Sequence, residues 1–385
     1  MARETWIVGA ASNRYGKLTE TAREAATRVA LEAIRDAGLE PKQIGHTFVA
    51  NCFGLTEHQA HLGPLINNGL GIPDVPSVTL ESACSSSSAA LHEAYVHVAG
   101  GFADAALVVG AERLGHLDTM TATGYFALAA DYPFETRHGA TFPGLYATLA
   151  GAYRTAYRAT PEMFGAVAVK NHANAAHNPH AHFQKEISLE TYLASPIVAA
   201  PLRLYDCCPF SDGAAAVVVA AREAVPHPVT EPLVVRASVR AGAVTDLHDR
   251  ADLLGLPSTR AAATRAYRQA HLEPKEIDFL EVHDCFTIAE VLALEDLGLF
   301  PKGTAGREGL EGTTARDGKL PVNPSGGLKA KGHPVSATGA GQVVEIFEQV
   351  NGRARGREVP RSETALAHNV GATGGSCSVH IFGRR

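Results

Sequence analysis

"LEPKEIDFLEVHDCF", residues 272–286, largely repeats "LEPKQIGHTFVANCF", residues 39–53. The offset is constant at 233 residues (272 − 39) and carries Pro41 onto Pro274 and Cys52 onto Cys285. One pair differs tellingly: Ala50-Asn51 in the first copy stands where His283-Asp284 stands in the second. Each copy is a Pro-led turn followed by an apolar run, which reads as turn then buried strand. A spacing of 233 residues is far too long for a solenoid repeat, so the chain is two copies of one fold packed face to face. The halves are residues 1–230 and 231–385. An ionisable pair in only one copy points to a site built once, with unequal contributions from each half.

Working outward, short strands alternate with amphipathic helices, the signature of an α/β fold. Thr21–Ala37 carries apolar residues at helical spacing and is stopped by Gly38 and Pro41. Thr47–Cys52 reads as a strand, Val78–Leu80 leads into a turn at Cys84, and Ser85–Ala99 reads as a helix with a serine start and a Gly-Gly stop. The second half repeats the order: a helix over Ser258–His271, strand and turn in "FLEVHDCF", a helix in "ATGAGQVVEIFEQV" and a closing strand in "SCSVHIFG". The stretch from about Leu114 to Arg203 has no counterpart and reads as an insertion that covers something.

Composition excludes several function classes. Of the 385 residues, 45% are apolar and 19% charged, which suits a chain with a large core. A net charge of −6 gives no basic surface for nucleic acid or anionic membrane. The apolar runs Ala105–Gly110 and Ala214–Ala221 fall short of the ~20 residues that span a bilayer. "MARETWIVGAAS" enters a strand-like run without signal-peptide features, and six scattered cysteines lack a metal-type CxxC pair. These features predict a cytoplasmic protein with free thiols. His172, His177, His180 and His182 lie close together in sequence, but no cysteine or carboxylate stands beside them at ligand spacing, so they read as surface and packing histidines and no metal is expected.

Three motifs carry candidate chemistry. In "ESACSSSSAA", Cys84 sits at a strand-to-helix turn, where the helix end would lower its pKa and make it nucleophilic; the alternative is a buried cysteine in a turn of small residues. In "NPSGGLKAKGHPVSATGAGQ", a Gly-rich backbone precedes His333 and Pro334 fixes the turn that presents its imidazole; the alternative is a histidine capping a loop. "HDCF" places His283 and Cys285 at a strand end, with Cys285 otherwise a core residue like its duplicate. Two cysteines and two histidines at matching strand ends suggest one site in which a thiol nucleophile needs a base and a second thiol moves a proton at a carbon acid.

These motifs, with "SDGAAAV" (residues 211–217) and "HNVGATGG" (residues 368–375), resemble the thiolase superfamily in its sterol-carrier-protein-type and archaeal-type branch, in the family's order and from end to end of the chain. The resemblance implies a thiolase-like five-layered αβαβα fold of two similar halves, with a loop domain at about 114–203 inserted in the first. It implies an acyltransferase that forms or cleaves 3-oxoacyl-CoA by reversible Claisen chemistry, with coenzyme A as substrate and no permanently bound cofactor. Cys84 would be the acylated nucleophile, His333 its activator and an oxyanion ligand, and His283 would stand where many relatives place an oxyanion-site Asn. The common C-terminal acid/base cysteine is replaced here by Asn369, and Cys285 would take that role. Gly371 would pair its N–H with that of Cys84 in a second oxyanion hole, Ser238 would touch pantetheine, and Cys52 and Cys377 would be structural.

The resemblance further implies a homodimer or tetramer and a small zinc-ribbon/OB-fold partner protein. Between His116 and Lys185 only Arg137, Arg154, Arg158 and Lys170 are basic, few for the phosphates of CoA, which makes the partner a reasonable source of those contacts. Two rival readings remain: a decarboxylating ketoacyl synthase built on Cys84, His283 and His333, and a thiolase-like subunit that scaffolds a complex or acts as an aldolase.

Overall fold

The computed structural model describes residues 2–385. Its strands are β1 (Thr5–Ser12), β2 (His46–Ala50), β3 (Ser77–Leu80), β4 (Ala105–Glu112), β5 (Ile197–Ala199), β6 (Leu202–Arg203), β7 (Gly213–Ala221), β8 (Leu233–Gly242), β9 (Phe279–Glu281), β10 (Thr364–Gly371) and β11 (Ser376–Arg384). Nine of them form one sheet in the order β3-β2-β4-β7-β1-β8-β11-β10-β9, and β5 pairs with β6 alone.

The duplication is written into the pairing. In the first half β2 runs parallel to β3 and β4, while β4–β7 and β7–β1 are antiparallel. In the second half β9 is parallel to β10, while β10–β11 and β11–β8 are antiparallel. The outermost strand of the second half shrinks to one parallel bridge, Leu280↔Val322, at the place that Thr47↔Ser77 occupies in the first. The half-sheets meet at β1 and β8 through Trp6↔Val234 and Ile7↔Leu233, so they are joined along one edge. Even the turns repeat, since Pro41–Gln43 and Pro274–Glu276 form matching 3-10 turns.

Side chains alternate along each strand, and both faces are covered. Phe48 and Val108 face a core shared with Phe279, Ala365 and Phe382 of the other half, and the helices Ser86–Ala99 and Thr338–Val350 fill it with Ala90, Leu91, Val343 and Phe347. Val49, Leu107 and Val109 face the other way, onto helix Ala22–Asp36. That helix begins with a Thr21/Glu24 capping box and buries Ala26, Val29, Ala33 and Ile34, the spacing its sequence predicts. The second half is covered outside by helix Pro257–Ala270 and helix Thr287–Asp296. The layers are therefore helix, half-sheet, helix pair, half-sheet, helix.

The chain between β4 and β7 holds the helices Thr119–Ala127, Phe142–Tyr157, Pro161–Ala175 and Leu189–Ala194. Although it leaves from the first half, this arm packs on the second: Tyr146 stacks on Phe286 at 4.5 Å and Asn171 donates to Asp284 at 2.7 Å. The arm thereby roofs the loops that hold His283 and Cys285. No helix among the described residues is long and apolar enough to cross a membrane.

Candidate active site

Cys84 lies in the 3-10 turn Ala83–Ser85, between β3 and helix Ser86–Ala99. Ala83 holds φ +47°, a left-handed conformation costing alanine roughly 1–2 kcal/mol. Local bonds maintain it: the Ala83 N–H donates to the Glu81 carboxylate at 2.6 Å, and Ser86 Oγ donates to the Ala83 carbonyl at 2.6 Å. The resulting turn buries the Cys84 sulfur beside Phe53, Leu114 and Val335.

His333 follows Gly332, whose φ of +114° and whose missing Cβ, which would lie 2.7 Å from Ser211 Oγ, both require glycine. Thr338 Oγ1 donates to the Pro334 carbonyl at 3.0 Å, so its lone pair accepts Nδ1–H of His333 at 2.7 Å. His333 Nε2 is then an unprotonated acceptor, buried and without a partner. His283 has the opposite assignment: Asn369 Nδ2 donates to its Nδ1 at 2.8 Å, leaving Nε2–H as a buried donor without a partner. The two rings meet edge to face, centroids 5.2 Å apart. One donor atom each from Cys84, His283 and His333 lie within 4.8 Å of one another. One thiol and two rings, one carrying a free base and the other a free N–H, thus lie together. The same three atoms form a donor set that a soft divalent ion such as Zn²⁺ could occupy.

Burial governs the resting charges. The Cys84 thiol is pushed up to about 12 by burial, against the pull of the Ala372 and Cys84 backbone N–H groups, and burial holds His333 down at about 3. The expected lowering of the cysteine by the helix end is therefore corrected: desolvation outweighs it, and thiol and imidazole are both neutral. Cys285, the residue after Asp284, is raised well above its usual value, first by burial and then by Cys208 and Cys84, while a hydrogen bond with Tyr146 opposes this. Tyr146 O–H also donates to the Ala372 carbonyl at 2.9 Å.

The pair that breaks the repeat has two jobs. His283 points into the site, and Asp284 turns away and braces it. The Asp284 carboxylate accepts Leu328 N–H at 2.6 Å, Lys329 N–H at 3.2 Å and Asn171 Nδ2 at 2.7 Å. It thereby ties the "HDCF" turn to the Gly-rich loop before His333 and to the inserted helix. In the first half its counterpart Asn51 donates to the Ala111 carbonyl at 2.9 Å and to Glu112 at 3.2 Å. Glu112 also accepts Cys52 N–H, Phe53 N–H and Ser336 O–H, bracing the first copy's turn in the same way.

Cys84, His283, Cys285 and His333 are thus gathered together. Gly371 ends β10, where a Cβ would lie 2.6 Å from the Ser82 carbonyl, but the backbone amide that reaches the Cys84 sulfur belongs to Ala372. Ser238 is elsewhere: its hydroxyl is held between His92 Nδ1 and His380 Nδ1, each at 3.0 Å. It lies four residues along β8 from Gly242, which pairs with Ser376 beside Ser85, a distance of about 13 Å at strand rise. Ser258, which donates to the Gly374 carbonyl at 2.7 Å, is the serine that borders the "HNVGATGG" loop. Cys377 packs in β11 and receives Thr259 O–H at 3.6 Å, and Cys52 packs beside Cys84 with its thiol toward Glu81 at 3.7 Å. The four clustered histidines separate: His172 turns to the Lys185 carbonyl, His182 to Ser211, His180 toward Glu348, and His177 lies against Gly356. Sequence reading missed Tyr146, one aromatic residue among many in the insertion.

Comparison with known proteins matches the chain over nearly its whole length. Residues 5–223 match the family model "Thiolase, N-terminal domain" and residues 241–384 match "Thiolase C-terminal domain-like". The chain is 41% identical over 384 residues to acetyl-CoA acetyltransferase of Methanothermobacter thermautotrophicus, covering 99% of this chain and 100% of that one. It is 35% identical to benzoylsuccinyl-CoA thiolase subunit BbsB of Thauera aromatica, covering 98% and 96%. Among solved structures, the Ltp2-ChsH2(DUF35) aldolase superposes with a TM-score of 0.86 at 24% identity, covering 99% and 98%, and acetyl-CoA acetyltransferase from Syntrophomonas wolfei with 0.76 at 20%, covering all of both chains. At those identities the structures speak for the fold, and the sequence relatives for the chemistry: the chain belongs to the thiolase family and is a CoA-dependent acyltransferase.

Proposed function

We propose that the chain cleaves and forms 3-oxoacyl-CoA through an acyl group carried on Cys84, with Cys285 as the acid/base at the α-carbon. The observation that carries this is the clustering of Cys84 with His283 and His333, each of whose rings keeps a buried nitrogen without a partner. In the cleavage direction, His333 Nε2 takes the Cys84 proton as sulfur attacks the 3-oxo carbon. The charge that develops on oxygen meets His283 Nε2–H or the backbone amides of Cys84 and Ala372, where the resemblance had placed Gly371. The C2–C3 bond breaks, and the electron pair left on C2 takes the Cys285 proton, releasing acetyl-CoA. An incoming CoA thiol returns a proton to Cys285 and attacks the thioester. Cys84 then leaves and recovers its proton from His333.

A neutral thiol and a neutral imidazole suit this sequence because no separated charge has to be maintained before substrate arrives. A small zinc-ribbon/OB-fold companion that contributes to CoA binding belongs to the same reading, as does a homo-oligomeric, cytoplasmic enzyme. The companion is supported by the few basic residues of the arm, of which Lys170 is already committed to Glu290 at 2.9 Å. The Thauera relative is named as a subunit, and the superposed aldolase pairs two named chains. The division into halves at residues 230 and 231 is part of this reading too.

The test is thiolysis of acetoacetyl-CoA by CoA, alone and with the co-purified companion. The wild type should consume both, and Cys84→Ala should lose at least about 10³-fold in kcat, as removal of a covalent nucleophile does. Turnover that survives this substitution rules the reading out. Malonyl-CoA accepted as donor with release of CO₂ would favour the decarboxylating alternative.

A further inference from the structure

Directly behind Cys285 lies a cleft that the reaction as described does not use. Its volume is about 330 Å³, the size of a small ligand site. Phe183, Ile187 and Tyr205 form its walls, and Cys208, His172 and Lys329 line it as well. It adjoins the reacting groups through the backbone: Cys208 N–H donates to the Cys285 carbonyl at 3.0 Å, and Cys207 bridges to Phe286.

Two polar groups in this cleft lack what their burial demands. The chain has three lysines that are nearly fully buried, Lys170, Lys329 and Lys331. Lys170 faces Glu290 at 2.9 Å and Lys331 faces Glu281 at 3.8 Å. Lys329, only 2% exposed, donates to the Cys207 carbonyl and forms no ion pair among the described residues, the Asp284 and Asp206 carboxylates acting on it only from longer range. A buried ammonium ordinarily has an anionic partner, because desolvating it alone is expensive. Beside it, His172 is 3% exposed. Its Nδ1 is committed to the Lys185 carbonyl at 3.0 Å, its ring lies over Phe183 at 5.8 Å, and its Nε2 is buried without a partner.

We propose that this cleft receives the acyl group of the substrate, and that Lys329 and His172 select an acyl group whose far end is a carboxylate. The proposal rests on the thiolase reading of Cys84 and Cys285. The apolar walls take the carbon skeleton, and Lys329 supplies the charge-assisted hydrogen bond to the anion. Burial, and after it the neighbouring ammonium, keep His172 neutral in the empty cleft. An anion arriving between the two offsets that neighbour, so the imidazole takes up one proton from solvent and becomes the second donor.

The test compares 3-oxoadipyl-CoA, which ends in a carboxylate, with 3-oxoheptanoyl-CoA, which ends in a methyl group, on wild type and Lys329→Met. Any required companion is present throughout. The wild type should favour the carboxylate by at least about tenfold in kcat/KM, since a buried ammonium left unpaired penalises the neutral tail. In Lys329→Met that preference should fall to within about threefold, through loss on the carboxylate substrate and relief of the penalty on the neutral one. A wild-type enzyme that prefers the neutral tail, or treats the two alike, overturns the proposal and leaves the thiolase reading intact. Failure to cleave any 3-oxoacyl-CoA overturns both. If Lys329→Met does not fold, the wild-type preference alone decides, with proton uptake on binding adipyl-CoA, measured calorimetrically in two buffers, as the second readout. No uptake would refute the role given to His172.

Discussion

Replacing Tyr146 with Phe removes one oxygen from the site and keeps the ring that stacks on Phe286. The lost O–H donates to the Ala372 carbonyl at 2.9 Å and is hydrogen-bonded with Cys285. Leaving that buried carbonyl short of a donor costs about 1–3 kcal/mol, which for a chain of this size lowers Tm by roughly 1–4 °C. The kinetic effect should be selective. The Cys285 thiolate forms only during proton transfer at the α-carbon, when the one Tyr146 proton can turn to it from the Ala372 carbonyl, and without that donor the thiolate should be harder to form by about 1.5–3 kcal/mol, or roughly 10- to 100-fold in rate. Acylation of Cys84 uses His333 as base and should change by less than about threefold. The assay is a pair of measurements on one preparation: acyl-enzyme formation by intact-mass burst, and exchange of acetyl-CoA α-hydrogens into D₂O. Equal loss in both, or no loss in exchange, would refute the assignment of Tyr146 and Cys285 to the proton-transfer step.

Three more outcomes are expected. Asp284→Asn should keep at least part of the bracing of Leu328 and Lys329, whereas Asp284→Ala removes it and should cost about 3–5 kcal/mol in denaturant melts through loss of a buried, multiply bonded carboxylate; equal stability of the two variants would contradict the bracing role. Burial holds His333, His368 and His380 at about 3 against 6.5 for the free side chain, so the unfolded chain binds more protons and stability is lost as pH falls from 6.5 toward 3. Glu112 and Glu348, raised to about 7 from 4.5, and Asp284, raised to about 7 from 3.8, work in the opposite sense between those values, so the histidines, His283 among them, should dominate below about pH 3.8, where unfolding should take up protons; no uptake there would contradict their burial as neutral rings. Zn²⁺ should inhibit competitively with acyl-CoA through Cys84, His283 and His333 and be reversed by chelator, and non-competitive inhibition would place the ion elsewhere.

Much of this was legible because the chain is a duplication. The 39–53 and 272–286 segments fold into the same turn and strand, and the His283-Asp284 pair, which replaces Ala50-Asn51, marks the residue that enters the site and the residue that braces it. Cys84 and His333 could be picked out because small residues, glycine and proline beside them mark turns, and His283 and Cys285 because they follow the strand β9 in the second copy of the repeat. What stayed hidden depends on contacts between distant segments. Tyr146 reaches Ala372 across 226 residues, and nothing in the helical pattern of Phe142–Tyr157 distinguishes it. The Ala372 amide that reaches the Cys84 sulfur was not read in sequence, because its φ of +53° is imposed by the turn and not advertised by a glycine. Ser238 was chosen on a short local match, whereas its partners His92 and His380 lie 146 and 142 residues away. The direction of the Cys84 shift was misjudged because a helix start is readable in sequence and the depth of burial above it is not.

The central claim is that the acyl group is carried on Cys84, and peptide mass mapping after a quench with the competent acyl-CoA tests it most directly. The mass of the acyl group should appear on the peptide containing Cys84, persist in Cys285→Ala and vanish when CoA is added to the wild type. Acylation confined to Cys285, Cys377 or Cys208, or an unmodified enzyme during turnover, would contradict it.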